Sequence, residues 1–300
     1  YGAVVQNPQF SNEGFARIRA EVRDTLGNLV QPEVKANFNT SKSFLKLGGF
    51  VQAGKRFFDD RLGVNVGVRI DGNTFTDEGM NLFQTFSPRV GLSYVLSDRW
   101  TVNASVGRYY RLAPYTILGF QNNNSDYVNR DANYLRSDHY VVGFEYLPKN
   151  TTRFTIEGFY KQYGNMPVSV RDGINLANKG GDFNILGNED IVSTGKGRTY
   201  GVEFFAQQKL TKRFYGVFSY TLFISQFSGV DGKYVSSAWD NRHLLSVTWG
   251  YKFPRNWELG LKFRYQGGAP FTPFDETASR QNYLSTGEGI LDYARLNQNR

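Results

Sequence analysis

Along residues 242–265 the chain alternates apolar and polar side chains with a period of two, broken once. Leu245, Val247, Trp249, Tyr251 and Phe253 alternate with Ser246, Thr248, Gly250 and Lys252; Trp257, Leu259, Leu261, Phe263 and Tyr265 alternate with Glu258, Gly260, Lys262 and Arg264. Successive side chains of a strand point to opposite faces of a sheet, so the spacing predicts two strands, each with one wholly apolar face. Pro254, Arg255 and Asn256 fall between them. Proline cannot continue a hydrogen-bonded ladder and asparagine suits tight backbone, which makes this segment the turn of a hairpin.

The same unit recurs. Strand pairs are predicted at 42–57 and 62–71, 85–96 and 100–112, 134–147 and 151–163, and 198–210 and 213–223. Residues 62–71 carry the cleanest pattern, with Leu62, Val64, Val66, Val68 and Ile70 on one face. A further strand is expected at 12–24, followed by a polar link at 25–41, and another strand start is expected at Tyr293. The sum is an all-β, antiparallel sheet of about 11–12 strands. Connections near Asp59, Ser97, Pro148, Thr211 and Pro254 are tight, whereas those at 74–84, 113–133, 164–197, 225–241 and 267–292 are long. One end of the sheet is therefore trimmed and the other elaborate. Strands of ten or more residues exceed the usual globular length, and long loops gathered at one end match a transmembrane β-barrel with short periplasmic turns and long extracellular loops. Phe57, Phe58, Trp100, Tyr146, Phe154, Phe214, Tyr215, Phe253 and Trp257 lie near the short turns, where an interfacial aromatic girdle belongs.

Composition narrows the chemistry. Mean hydropathy is −0.46, and no run approaches the roughly 18 apolar residues of a membrane helix; a barrel, whose strands dilute apolar residues with polar ones, stays open. The absence of cysteine and the presence of only two histidines, His139 and His243, leave little for disulfides, thiolate metal sites or general-base catalysis. A net charge of +8 would suit nucleic acid, but the Lys and Arg residues are spread singly along strands, so no nucleic-acid partner is expected. Tyr1 is preceded by no Met or signal peptide and Arg300 falls in mid-pattern, so 1–300 reads as one partial barrel domain, with no plug domain and with C-terminal strands missing.

Arg69, Arg89, Glu145, Glu157, Glu203, Lys252, Glu258, Lys262 and Arg264 occupy the polar strand positions, as the lumen-facing set of a wide barrel would. Without a nucleophile or base to complete a site, they read as solvated lumen charges and not as catalytic carboxylates. The Gly195, Gly197 and Gly201 run opens a strand and lacks the features of a phosphate loop. Asp71, Asn73, Asp77 and Glu78, and likewise Asp182, Asn184, Asn188, Glu189 and Asp190, offer oxygens that suit calcium, but Phe75 breaks the EF-hand pattern. No cofactor, metal or catalytic residue is assigned. Trp239, Asp240, Arg242 and His243 read as a loop anchored by an Asp–Arg pair, with a ligand contact as the other reading.

Four phrases in hairpin register resemble the C-terminal half of the TonB-dependent outer-membrane transporters. They are Phe86-Ser87-Pro88-Arg89-Val90-Gly91-Leu92-Ser93-Tyr94; Gly195-Lys196-Gly197-Arg198-Thr199-Tyr200-Gly201-Val202-Glu203; Trp239-Asp240-Asn241-Arg242-His243; and Phe263-Arg264-Tyr265-Gln266-Gly267-Gly268 with Pro270-Phe271-Thr272. The resemblance spans about 42–292. It implies a 22-stranded barrel in a Gram-negative outer membrane, closed by an N-terminal plug that the TonB complex moves. The function it implies is active uptake of a scarce solute such as a siderophore, glycan or peptide, with no enzymatic step. The alternative is a non-transporting barrel serving as adhesin or scaffold subunit. The expected partners are the lipid bilayer, the TonB complex through the missing N-terminal portion, and a small solute or surface protein at the loops. Tyr115, Phe120, Asn122, Asn123, Tyr127, Phe183, Tyr234, Trp239, Phe271 and Phe274 are the candidate contacts, an amide and aromatic mixture on the long connections. A loop tip contributes little burial, so removing 122–128 is expected to spare assembly.

Overall fold

The computed structural model describes every residue except 20, 21, 24, 25, 32, 33, 123, 181–186, 287 and 288. Its strands are β1 (Gly2–Gln6), β2 (Gln9–Arg19), β3 (Val22–Arg23), β4 (Leu29–Gln31), β5 (Val34–Ser43), β6 (Lys46–Phe57), β7 (Leu62–Asn73), β8 (Ser87–Ser97), β9 (Trp100–Arg111), β10 (Leu135–Lys149), β11 (Thr152–Ser169), β12 (Ile191–Gln208), β13 (Phe214–Ser228), β14 (Tyr234–Ser236), β15 (His243–Lys252) and β16 (Glu258–Gln266). Among the described residues two α-helices, α1 (Tyr115–Leu118) and α2 (Glu276–Thr286), lie in the long connections.

Twelve strands form one sheet in the order β1-β6-β7-β8-β9-β10-β11-β12-β13-β15-β16, with β14 on β13. Neighbours are antiparallel, and the register carries the period-two pattern from strand to strand. Val66 faces Val90, Val90 faces Val106, Val106 faces Tyr140, Tyr140 faces Tyr160 and Tyr160 faces Tyr200. Val247 faces Phe218 on one side and Phe263 on the other. The apolar positions thus share one continuous face, and the polar positions share the other.

Rings mark both margins of the apolar face. Trp100 stacks on Tyr146 at 4.4 Å, and Tyr146 on Phe154 at 6.4 Å, toward the short turns. Tyr140, Tyr160 and Tyr200 form a second row at 6.3 Å spacings toward the long loops. On β10 the apolar stretch lies between Asp138 and Pro148. Ten residues rise about 33 Å along a strand, and at a barrel tilt of roughly 40° this projects to about 25 Å, the height of a bilayer-facing band. Tyr215, counted with the girdle by sequence, lies on the polar face, where its hydroxyl donates to Glu258 at 2.7 Å.

Three expectations need correction. The strand expected at 12–24 is β2, which leaves the main sheet and pairs with β5; the supposed polar link at 25–41 supplies β4 and most of β5. The chain between β1 and β6 is therefore a long hairpin at the loop end, a place that imposes no apolar face on it. β1 itself, too short to show a period, pairs with the upper part of β6. At Tyr293 no strand starts; residues Tyr293–Arg295 make one 3₁₀ turn, capped by the Asp292 carboxylate accepting from the Ala294 N–H.

Candidate functional site

The long connections pack into a layer over the loop end of the sheet. Phe10 at the base of the hairpin stacks on Tyr115 at 5.1 Å, Phe44 meets Tyr115 edge-on at 5.7 Å and Phe75 at 5.5 Å, and Phe75 meets Tyr127 at 5.3 Å. Leu112, Ile117, Leu118, Leu176 and Ile191 complete a buried cluster with these rings. Residues from the hairpin and from the connections at 74–86, 112–134 and 170–190 share this core. Within 122–128, residues 124–126 are exposed and Tyr127 packs against this core, while Asn129, just beyond, is fully buried.

Side-chain amides staple the loops. Asn129 donates to the Ile117 and Glu189 carbonyls and accepts from the Ile191 N–H. Asn178 donates to the carbonyls of Val235 and Ser236, and Asn297 donates to those of Asn178 and Ser236. Thr40 on the hairpin donates to the Gly119 carbonyl at 2.7 Å. A largely buried ion network joins Lys179 to Asp172 at 2.8 Å and to Glu189 at 3.0 Å, with Ser169 donating to Glu189. Asp240 is fully buried, pairs with Arg242 at 3.2 Å and Arg300 at 2.6 Å, and accepts from the Ser225 N–H. That is the loop anchor expected of the Trp239–His243 phrase. Burial pushes the Tyr134 phenol above its ordinary pKa, against a hydrogen bond from Asn73. Desolvation, with Asp131 nearby, raises the Asp190 carboxyl.

The candidate contacts divide by burial. Tyr115 and Tyr127 pack against the core and Phe120 is buried. Asn122 closes its own turn, accepting from the N–H groups of residues 124 and 126. Asn123 and Phe183 lie outside the described residues. Tyr234, Trp239, Phe271 and Phe274 are exposed; the Arg198 guanidinium sits 4.5 Å from the Tyr234 ring, and Trp239 meets Phe227 at 5.7 Å. Phe83, Tyr283 and Tyr293, not singled out by sequence, are exposed as well. Composition could not separate these groups, because the same rings and amides build a loop core or a binding surface. Of the two calcium-type clusters, Asn73 is buried and caps a turn by accepting from the N–H groups of Phe75 and Thr76, while Asp71 pairs with Arg69 and Asp77 with Arg130.

On the polar face the register aligns Arg69, Arg89, Glu145, Glu157, Glu203, Lys252, Glu258, Lys262 and Arg264. Arg153 pairs with Glu145, and Arg89 stacks 4.3 Å from the Tyr109 ring. Glu157 stands directly opposite Glu203. Two like charges in register destabilise a sheet unless water screens them, so this face is a wet one.

A long-stranded antiparallel sheet with a ring-bordered apolar face, a wet polar face and every long connection at one end defines the wall of an outer-membrane β-barrel. A family model for the TonB dependent receptor-like β-barrel matches residues 3–297, and the chain belongs to that family of Gram-negative outer-membrane proteins. Its fold is similar to the ferripyoverdine receptor of the outer membrane of Pseudomonas aeruginosa bound to ferripyoverdine, at 19% identity and TM-score 0.57, over 83% of this chain and 31% of that one. It is also similar to the FrpB iron transporter from Neisseria meningitidis (15%, 0.53, over 77% and 34%) and to the alcaligin outer-membrane receptor FauA from Bordetella pertussis (13%, 0.51, over 88% and 46%). The chain thus spans 31% to 46% of the length of these receptors. No curated protein matches it.

Proposed function

We propose that this chain forms part of the barrel wall and outer vestibule of a receptor for TonB-driven uptake of a scarce solute. The match to the receptor family along nearly the whole chain carries this reading. The apolar face meets lipid, and the polar face lines a lumen in which a plug, supplied by the rest of the protein, is moved by the TonB complex. No covalent step is required; differential binding outside and inside does the work. Solute, or a protein at the cell surface, meets the loop layer at Tyr234, Trp239, Phe271 and Phe274. Those rings stack on planar or apolar groups, while the neighbouring backbone and amides supply hydrogen bonds.

The test uses the full-length gene product in its own host. Deleting the gene should abolish growth on one limiting solute, and disabling TonB should abolish the same growth. Growth on every candidate solute that survives both deletions would overturn the proposal.

A further inference from the structure

On the polar face one register row runs from β7 to β13, with Gly67, Arg89, Gly107, His139, Lys161, Thr199 and Ser225 in line. It holds two permanent cations, Arg89 and Lys161, an imidazole between them, and no carboxylate. Asp138 adjoins His139 in the chain but lies on the apolar face, where Arg108 holds it. On the polar face Glu157 and Glu203 stand two rows lower, about 13 Å along the strand. Asp71, two rows higher, is taken by Arg69.

Side-chain contacts fix the row. The Tyr109 ring leans over Gly107, where an added Cβ would come within 3.0 Å of its hydroxyl and 3.2 Å of Arg89 Cγ. The same ring lies 4.3 Å from the Arg89 guanidinium and 4.5 Å from the His139 ring. His139 Nε2 is 2.8 Å from Ser137 Oγ, and Lys161 lies over the Phe159 ring at 5.4 Å. No acceptor among the described residues reaches Arg89 Nε, yet Arg89, His139 and Lys161 all stay partly exposed. Cations gathered on a low-dielectric wall without counter-ions focus their field into the lumen and draw anions to it. The span decides which anion. Arg89 and Lys161 are three strand spacings apart, about 14 Å between Cα atoms. With Arg89 held at Tyr109 and Lys161 at Phe159, one carboxylate meets one cation, whereas a molecule with two or more acidic groups meets both. The guanidinium takes an oxyanion through paired N–H donors and the ammonium takes another as a point charge.

We infer that this row is a binding station in the lumen for a solute carrying two or more oxyanion groups, one seated on Arg89 and another on Lys161. The inference rests on the polar face lining the lumen of an uptake receptor, and it narrows the solute to an anionic class.

Titration calorimetry of the full-length protein in detergent at low ionic strength tests it, with the tricarboxylate tricarballylate as probe and the dicarboxylate glutarate and monocarboxylate butyrate as comparisons. Tricarballylate and glutarate should bind, and butyrate should bind at least roughly tenfold more weakly, the loss of one charge-assisted contact. Arg89→Gln and Lys161→Gln should each bring tricarballylate down to the butyrate level. Lys262→Gln, far down the same face on β16, should leave its affinity unchanged. Heat-modifiable gel migration confirms that each variant is a folded barrel. No binding of tricarballylate to the folded wild type, equal affinity for butyrate, or an equal loss in Lys262→Gln would each overturn the inference. A plug carboxylate already seated on the row would give no tricarballylate binding together with a lower unfolding temperature in Arg89→Gln, and that result overturns it as well. TonB-dependent growth is read separately, so a receptor for a neutral solute would pass that test and fail this one.

Discussion

Ser246 and Val247 are adjacent in the chain, yet the register sends one toward Ser219 and Arg264 on the polar face and the other toward Phe218 and Phe263 on the apolar face. A charge on the lipid side of a barrel costs about 2–4 kcal/mol at bilayer mid-depth. Val247→Arg should therefore lower the yield of assembled protein in outer-membrane fractions, while Ser246→Arg should leave it near wild type; equal yields would refute the facing. Asp240 offers a second residue-scale test. Its carboxylate is fully buried and serves two arginines and the Ser225 N–H, whereas the arginines are about a third exposed and regain water when it is removed. Asp240→Ala should destabilise the loops around it by roughly 1–3 kcal/mol, mainly through the unsatisfied N–H. Faster amide exchange at Ser225 and Ser237, with unchanged exchange in the middle of β13, is the expected signature.

At the scale of strands, legibility follows the solvent. Where a strand meets lipid on one side and water on the other, the alternation is complete, and the predicted boundaries of β7 and β15 fall within a few residues of those observed. Where strands continue beyond the bilayer the alternation fails, because Gln162, Arg198 and Gln226 replace apolar residues on the apolar face; β11, β12 and β13 are accordingly longer than the pattern foretold. The β2–β5 hairpin and β1 escaped for the related reason that no membrane dictates their pattern. Glycines set the spacing between strands. A Cβ on Gly201 of β12 would lie 2.2 Å from the Leu222 carbonyl and 2.8 Å from the Phe223 Cα, both backbone atoms of β13, whereas one on Gly260 of β16 would meet nothing within 4 Å. Overpacking of this kind costs about 1–3 kcal/mol. Gly201→Ala should lower the temperature at which the barrel loses heat-modifiable migration, and Gly260→Ala should not.

For the whole molecule, the loop layer carries two demands. It must stay folded above the membrane, and it must present a surface. The sequence showed which connections are long and which residue types they hold, but not which rings face inward, because burial here is decided by contacts between connections far apart in the chain, such as Phe10 with Tyr115 and Phe75 with Tyr127. The two sets should separate on mutation. Phe75→Ala removes a buried ring that packs against Phe44 and Tyr127, and truncation of such a ring typically costs about 3–5 kcal/mol. It should make the loops at 112–134 and 170–190 sensitive to limited proteolysis while the strands remain protected. Trp239→Ala, Phe271→Ala and Phe274→Ala remove rings that are about half exposed and contribute little to packing. These should leave the proteolysis pattern unchanged and reduce receptor-dependent growth on the limiting solute, most strongly in the triple variant. Only the pairing of the two readouts is diagnostic, since a collapsed loop layer would also lose uptake. If the triple variant kept both wild-type growth and wild-type loops, the exposed rings would have no part in recognition, and the solute would have to be held deeper, on the polar face around Arg89 and Lys161.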